Sequence, residues 1–309
     1  MEKPALIQGC KVGLVAPAGP IDEKKLQIAI ENVERLGFVA VPAKGILNKY
    51  GYLAGDDKSR AEQINSMFAD KEIKAIVAVR GGFGCAKILD LIDYEIIKNN
   101  PKPLCGYSDL TALLIAIYLK TGIVTYHSEM FGIQGSSYSQ KCFCDMLCSV
   151  YKNKTIPMPS KSVCKKHKFN INPQTIVEGV GQGILVGGNL TLLLSLIGTV
   201  YDFNYDGKLL FFEEINEPPY KIDRMLTQLQ MCHKLDSLSG VIIGVNEGCD
   251  AKENSLSLDE VIQNHFGNRS YPVVKDFPFG HIPIRCTLPI GAMAKLTLKT
   301  GKKAHLLVK

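Results

Sequence analysis

Short apolar runs alternate with amphipathic stretches through the first half of the chain. Residues 11–17, 38–42 and 75–79 are dense in Val, Ile, Leu and Ala, and each run has the length of a strand. Between them, residues 23–36 and 60–68 repeat apolar side chains at helical spacing. Apolar strands that alternate with helices predict a parallel sheet covered on both faces, so we expect a Rossmann-like α/β domain.

The second half of the chain opens with a less regular segment. Residues 151–180 are rich in Lys, Asn, Pro and Ser without a clear period, which is typical of a linker. Apolar strands and helices then resume at residues 190–197, 209–214, 222–229 and 241–245. We therefore expect an N-terminal α/β domain at residues 1–150 and a smaller, strand-rich α/β domain at residues 181–309, joined by that linker.

Composition narrows the class of protein. The 309 residues are 46% hydrophobic with a formal net charge of +6, and no dense run of Lys and Arg forms a nucleic-acid patch. The first residues lack the apolar segment of a leader peptide, and no apolar run approaches the roughly 18 residues that span a bilayer. We expect a cytoplasmic protein whose ten cysteines are reduced, with neither nucleic acid nor membrane as a partner.

The first candidate for catalysis lies where a predicted strand meets a helix. Residues 105–114 read CGYSDLTALL, and the apolar positions from Leu110 onward follow helical spacing. A serine at such a junction is exposed, and the following backbone N–H, that of Asp109, can face a developing negative charge. Leu110 stands where nucleophile elbows have a second glycine, so a helix cap by Ser108 or Asp109 is the simpler interpretation of this stretch alone.

A glycine-rich turn follows the apolar run at residues 75–79. Its sequence, RGGFG at residues 80–84, lets the backbone turn sharply and bring N–H groups to a ligand. It lacks both the spacing of a dinucleotide fingerprint and the Gly-Lys-Ser/Thr of a phosphate loop. The turn is therefore either structural or, beside a nucleophile, part of an oxyanion hole.

Two carboxylates, Glu213 and Glu214, follow an apolar strand. Strict alternation puts Glu213 on the buried face, where a carboxylate needs a partner. An ion pair with Arg224 and simple exposure of Glu214 are the plainer interpretations. Among the six histidines, His127 follows an apolar strand and His281 lies in a turn between prolines, and a structural role is the default for both. A Ser/His/Glu site is possible, but the residues alone do not select its members.

In their order along the chain, these motifs resemble the L,D-carboxypeptidases of murein recycling, the serine peptidase family that includes the microcin C self-immunity peptidases. The shared blocks are VAPAG at 15–19, YLAGDD at 52–57, RGGFG at 80–84, NPK at 100–102, GYSDLTA at 106–112, GGNLT at 187–191, FEE at 212–214, YKIDRML at 220–226, GH at 280–281 and LPIG at 288–291. The resemblance implies a catalytic triad of Ser108, Glu213 and His281. It also implies an oxyanion hole formed by the backbone N–H groups of Asp109 and Gly82.

The resemblance further implies the reaction and its partners. It predicts release of the terminal D-alanine from murein tetrapeptide through an acyl-enzyme, with neither metal nor organic cofactor, by a homodimer. We expect Gly81, Phe83, His127 and Glu129 to bind the substrate. Phe83 replaces the usual tyrosine of the glycine motif, and Glu129 replaces part of a His-Gly-Pro stretch. Glu129 either contacts the ammonium of a diaminopimelate or lysine side chain or lies in a solvated loop.

Two other functions stay open at this stage. A peptidase or amidase of the microcin-immunity type would act on a peptidyl-nucleotide, but that branch tends to carry a tryptophan in its substrate loop. This chain has no tryptophan, which favours murein recycling. A non-catalytic murein-peptide-binding protein is the third hypothesis, and the presence of Ser108, Glu213 and His281 together argues against it.

Overall fold

The computed structural model describes residues 6–133, 135–148 and 153–309. The chain forms two compact units, the first made of Met1–Tyr151 and Thr287–Gly291 and the second of Lys152–Cys286 and Ala292–Lys309. The boundary predicted between residues 150 and 151 lies outside the described residues. Strands and helices are numbered in chain order across both units.

The first unit is built on a six-stranded sheet. Its strands are β1 (Lys11–Val15), β2 (Val39–Pro42), β3 (Ile73–Ala78), β4 (Leu104–Gly106), β5 (Thr125–His127) and β12 (Leu288–Ile290). The spatial order is β12-β5-β4-β3-β1-β2, and every neighbouring pair is parallel except β12 with β5. The order 2-1-3-4-5 of the parallel strands is that of a doubly wound sheet, so the predicted Rossmann-like α/β arrangement is confirmed.

The helices of the first unit begin largely where side chains cap them. They are α1 (Glu23–Arg35), α2 (Asp57–Ala69), a 3₁₀ helix (Ala86–Leu91), α3 (Tyr94–Asn99), α4 (Leu110–Thr121) and α5 (Ser137–Leu147). Asp56 accepts a hydrogen bond from the Ser59 N–H, which starts α2 earlier than its apolar spacing predicts. Helix α4 is buried from Leu110 to Ile117, as its apolar sequence requires.

The second unit contains a mixed sheet of eight strands. They are β6 (Lys154–Thr155), β7 (Gln174–Val177), β8 (Gly179–Asn189), β9 (Leu209–Glu213), β10 (Gly240–Val245), β11 (Val273–Gly280), β13 (Met293–Leu298) and β14 (His305–Val308). The order is β6-β14-β13-β8-β9-β10-β11-β7. The central strands β8, β9, β10 and β11 are parallel, whereas the flanking strands pair antiparallel.

The helices described alongside this sheet are α6 (Lys161–Lys166), α7 (Leu190–Leu196), α8 (Pro219–Met231) and α9 (Leu258–Phe266). The segment at residues 151–180 carries β6, α6 and β7, and its two strands pair with β14 and β11 of this unit. Strands this short are too brief to show a period in the sequence. Within the described ranges, no helix has both the length and the apolar character needed to cross a membrane.

Glycine allows two strands of the second sheet to approach closely. Gly187 of β8 pairs with Phe211 of β9, and a Cβ built on Gly187 would lie 1.8 Å from the Phe211 carbonyl oxygen. Its φ of 153° is also one that residues with side chains rarely adopt. We therefore expect Gly187→Ala to lower the free energy of unfolding by about 3 kcal/mol, measured by urea denaturation with far-UV circular dichroism.

Gly198→Ala is the matched control for this prediction. Gly198 also has a positive φ, 78°, but a Cβ added at this position would have no neighbour within 4 Å. Only backbone strain opposes the substitution there, so its expected cost is about 1 kcal/mol. Equal costs at the two positions would contradict the steric account of Gly187.

Candidate active site

Ser108 lies between the end of β4 and the start of α4, in a strained backbone conformation. Its φ is 63°, a left-handed value that costs a residue with a side chain about 1–3 kcal/mol. The Ser108 carbonyl accepts a hydrogen bond from the Thr111 N–H at 2.9 Å, which closes the turn into the helix. A strained serine between a strand and a helix is the geometry of a nucleophile elbow.

Asp109 occupies the N-cap position of α4, but its side chain does not cap the helix, so the interpretation of this residue as a capping side chain is wrong. Its φ of −53° and ψ of −26° are helical, and its side chain makes no capping hydrogen bond. Instead, Asp109 Oδ2 accepts a hydrogen bond from the Cys85 N–H at 2.8 Å. Since Cys85 follows the glycine turn directly, the buried carboxylate ties that turn to the start of α4.

The glycine turn after β3 lies against Ser108. A Cβ built on Gly81 would be 3.1 Å from Ser108 Cβ and 3.2 Å from Ser108 Oγ. The Gly81 carbonyl accepts a hydrogen bond from the Gly19 N–H at 3.1 Å, and Gly82 has a φ of 131°. The predicted oxyanion donors, Asp109 and Gly82, are thus the chain neighbours of Ser108 and Gly81.

The remaining residues predicted to bind substrate differ in exposure. Phe83 is 51% exposed, and its ring meets that of Tyr52 edge to face, with centroids 5.9 Å apart. His127 ends β5 and is buried, with its ring 6.0 Å from that of Tyr107. Glu129 is only 2% exposed, so the interpretation of its segment as a solvated loop is wrong.

The second unit brings Glu213 and His281 together. Glu213 ends β9 and His281 follows the end of β11, and both strands point the same way in the sheet with β10 between them. His281 Nδ1 and Glu213 Oε2 are 2.8 Å apart. The Glu213 side chain is fully buried and that of His281 is 15% exposed. The ionisable partner of the buried carboxylate is therefore His281 and not Arg224.

Gly280 explains how His281 approaches Glu213 so closely. A Cβ on Gly280 would lie 2.5 Å from the Val245 carbonyl oxygen and 3.4 Å from Glu213 Oε2. Its φ is 122°, in the range that favours glycine. A side chain at this position would push β11 away from its neighbours, and His281 with it.

Two contributors to this part of the site were missed from the sequence. Asn189, opposite Glu213 in the β8–β9 pairing, donates from Nδ2 to Glu213 Oε1 at 3.3 Å and to Glu214 Oε1 at 3.0 Å. Glu214 is 3% exposed, so the expected exposure of this carboxylate is wrong. The alternation of faces along β9 does not predict the burial of Glu214, because the strand ends at Glu213. Asn189 caps α7 by accepting a hydrogen bond from the Leu192 N–H, and its position opposite Glu213 is the signal that could have revealed the contact.

Cysteines are the other candidate nucleophiles and metal ligands. Burial raises the pKa of Cys249 to about 11, and the charges of Glu214 and Glu213 act in the same direction. A thiol held protonated beside these carboxylates is a poor nucleophile. Among the residues that the structure describes, no group of three or more His, Cys, Asp and Glu side chains is arranged to hold a metal ion.

The buried Asp109 carboxyl generates a prediction about pH. Burial raises its pKa above the ordinary value of 3.8. The folded state then holds the proton to higher pH than the unfolded state, so Asp109 lowers stability as pH rises through this window. Asp109→Asn keeps an oxygen for the Cys85 N–H but cannot ionise. We expect the unfolding free energy of the variant, minus that of the wild type, to rise with pH above about 4.

Urea titrations between pH 4 and 7 measure this difference. Asp109→Ala serves as the comparison, because it removes both the charge and the hydrogen-bond acceptor and should be less stable than Asp109→Asn throughout. A difference between Asp109→Asn and wild type that stays constant with pH would contradict the prediction.

Comparison with known protein families gives two matches, one in each half of the chain. Residues 12–128 match the LD-carboxypeptidase N-terminal domain and residues 182–296 the LD-carboxypeptidase C-terminal domain. A probable murein peptide carboxypeptidase of Bacillus subtilis is 38% identical over 306 residues, which cover 97% of this chain and 92% of that protein.

Two crystal structures are similar along nearly their whole length. The first is an MccF-like protein from Bacillus anthracis, with a TM-score of 0.88, 27% identity, and coverage of 100% of this chain and 99% of that chain. MccF itself is a microcin C7 self-immunity protein. The second is a muramoyltetrapeptide carboxypeptidase from Oxalobacter formigenes, with a TM-score of 0.83, 26% identity, and coverage of 96% and 98%.

Proposed function

Because this chain belongs to the LD-carboxypeptidase family, we propose that it hydrolyses the L,D-peptide bond that holds the terminal D-alanine of murein tetrapeptide. Membership of the family makes the chain a serine-type peptidase. The observation that carries the finer proposal is the 2.8 Å hydrogen bond between Glu213 and His281. It supplies the acid–histidine half of a triad whose nucleophile is Ser108.

The proposed mechanism assigns one role to each member. His281 takes the proton of the Ser108 hydroxyl, and Ser108 Oγ attacks the carbonyl carbon that precedes D-alanine. His281 then gives the proton to the leaving amine, and water hydrolyses the acyl-enzyme. Glu213 accepts a hydrogen bond from the Nδ1–H of His281, which keeps Nε2 as the base and stabilises the imidazolium that forms.

The oxyanion that forms in each step is bound by backbone N–H groups of Asp109 and Gly82. Each such donor contributes about 2.7–4 kcal/mol to lowering the barrier. Two observations support this assignment. Gly81 lies beside Ser108, and the Cys85 N–H donates a hydrogen bond to Asp109, which keeps the glycine turn close to the nucleophile. Gly81, Phe83 and His127 contribute to substrate binding in the same proposal.

The family resemblance also supports the wider setting of this activity. We propose a role in peptidoglycan recycling in the cytoplasm, as a homodimer that needs no cofactor. In this proposal the nucleophile is supplied by the first unit, and Glu213 and His281 by the second.

The first test is D-alanine release from free murein tetrapeptide, followed by mass spectrometry. Ser108→Ala and His281→Ala should each lower kcat by roughly 10⁴-fold or more, because either change abolishes the attack step. Glu213→Gln should lower kcat by roughly 10²–10⁴-fold, since the histidine is still present but its tautomer and ring orientation are no longer fixed by a carboxylate. Circular dichroism of each variant checks that the fold is intact.

A peptidyl-nucleotide serves as the competing substrate in the same assay. Hydrolysis of an aminoacyl-sulfamoyl adenylate, with no D-alanine release from either the diaminopimelate or the lysine tetrapeptide, would replace the murein assignment by a microcin-immunity one. Binding of tetrapeptide without turnover, equal in wild type and Ser108→Ala, would instead indicate a binding protein.

Glu129 provides a test of the third residue of the stem peptide. A carboxylate this deeply buried gains most from a cationic partner, and we propose that it binds the side-chain ammonium of diaminopimelate or lysine. Glu129→Gln should raise KM for the tetrapeptide by about 10-fold with little change in kcat. An N-acetylated side chain on the substrate is the control, since it should bind wild type and variant equally.

A further inference from the structure

Two neighbouring carboxylates in the second unit share one amide group. Asn189 Nδ2 lies 3.3 Å from Glu213 Oε1 and 3.0 Å from Glu214 Oε1. All three side chains are at most 3% exposed. An amide nitrogen carries two hydrogens, so it can satisfy both carboxylates at once.

Glu214 is held by donors on both of its oxygens. Oε1 also accepts from the Ile215 N–H at 2.9 Å. Oε2 accepts from the Thr191 N–H at 2.9 Å and from Thr191 Oγ1 at 2.7 Å. With the Asn189 amide, these donors occupy most of the lone-pair sites of a carboxylate, so Glu214 is fixed in place.

This network also determines which way the Asn189 amide points. Its Oδ1 accepts from the Leu192 N–H at 3.3 Å while its nitrogen faces the two carboxylates. The reversed amide would set an oxygen against two negative charges and leave Leu192 facing an NH₂ group. Glu214 therefore stabilises the one orientation in which Asn189 can donate to Glu213.

The orientation of Glu213 in turn affects the position of His281. Glu213 Oε1 is held by Asn189, which leaves Oε2 directed at His281 Nδ1, 2.8 Å away. We infer that Glu214 is a positioning residue, which acts through Asn189 to orient Glu213 and thereby His281. This role rests on the proposed function, in which His281 is the general base. Nothing in the mechanism itself requires Glu214 to touch the substrate.

A carboxylate suits this position better than an amide. The groups that face Glu214 are all donors: the Asn189 amide, the Thr191 N–H and hydroxyl, and the Ile215 N–H. In Glu214→Gln one of the two acceptor oxygens becomes an NH₂ group, so a donor meets a donor wherever it is placed. The variant changes no volume and so isolates this effect.

The experiment combines kinetics with proton NMR. Glu214→Gln should lower kcat by roughly 10–100-fold, and KM should stay within about twofold, because the substrate contacts are untouched. The low-field resonance of the His281 Nδ1–H, assigned by its loss in His281→Ala, should shift or broaden. An unchanged kcat and an unchanged resonance would overturn the inference.

A double-mutant cycle separates positioning from a general structural role. If Glu214 acts only through Glu213, adding Glu214→Gln to Glu213→Ala should cost less than about threefold further in kcat. A loss that is as large on the Glu213→Ala background as on wild type would show that Glu214 acts by another route and would overturn the inference.

Two further variants serve as a control for charge removal and as an alternative should Glu214→Gln not fold. Asp202→Asn neutralises a carboxylate of the same unit that pairs with Lys234, and it should leave kcat and the resonance unchanged. Should Glu214→Gln not fold, Thr191→Val removes a single donor to Glu214 and should produce a smaller change in the same direction. A Thr191→Val protein with wild-type kcat and resonance would count against the inference.

The NMR measurement of the His281 Nδ1–H resonance does not require a substrate. If the wild type releases no D-alanine from any tetrapeptide, the proposed function fails. The resonance in wild type and in Glu214→Gln still reports whether Glu214 orients the Glu213–His281 pair. A normal resonance in the variant, in an enzyme that does release D-alanine, would overturn the positioning role alone.

Discussion

Burial of two consecutive carboxylates is the constraint on which the second unit depends. An ionised carboxylate without partners is very costly away from water, and two neighbouring ones also repel each other. Glu213 and Glu214 are buried at the end of β9, and Asn189, Thr191 and His281 supply donors to them. The sheet makes this possible because β8, β9 and β11 are parallel in it and end at a common edge.

The first unit also buries a carboxylate that requires a hydrogen-bond donor, that of Asp109. Asp109 is buried where α4 begins, and its carboxylate accepts from the Cys85 N–H that follows the glycine turn. The same hydrogen bond also holds the glycine turn beside Ser108, whose backbone is in the left-handed conformation. In both units a buried acid near the carboxyl end of a parallel strand makes a hydrogen bond to a residue of a neighbouring loop.

Periodicity predicted the elements that are long or uniformly apolar, and it failed where elements are short or end abruptly. The alternation of strands and helices in the first half indicated the parallel sheet, whereas β6 and β7 carry too few residues to show a period. Asp109 was interpreted as a cap because acidic residues before a helix usually are, but its backbone is already helical. Alternation could not place Glu214, since it stops being informative where the strand stops.

The contact between Glu213 and His281 had no local signal at all. The two residues are 68 positions apart, and only the register of the sheet brings them together. In the sequence, the ordered set of family motifs points to these two residues, whereas spacing and composition do not. Asn189 shows the same limit: an asparagine before an apolar helix is a local capping signal, but its contacts with two carboxylates are tertiary and have no such signal.

The strand β12 has a consequence for how the protein is made. It covers the edge strand β5 of the first sheet, yet β5 ends at residue 127 and β12 spans residues 288–290. During translation, β5 therefore leaves the ribosome long before the strand that pairs with it. An open strand edge is the part of a sheet that recruits other chains. The first sheet is thus completed only after strands β6 to β11 of the second unit have been synthesised, and until then β5 lacks one of its partner strands.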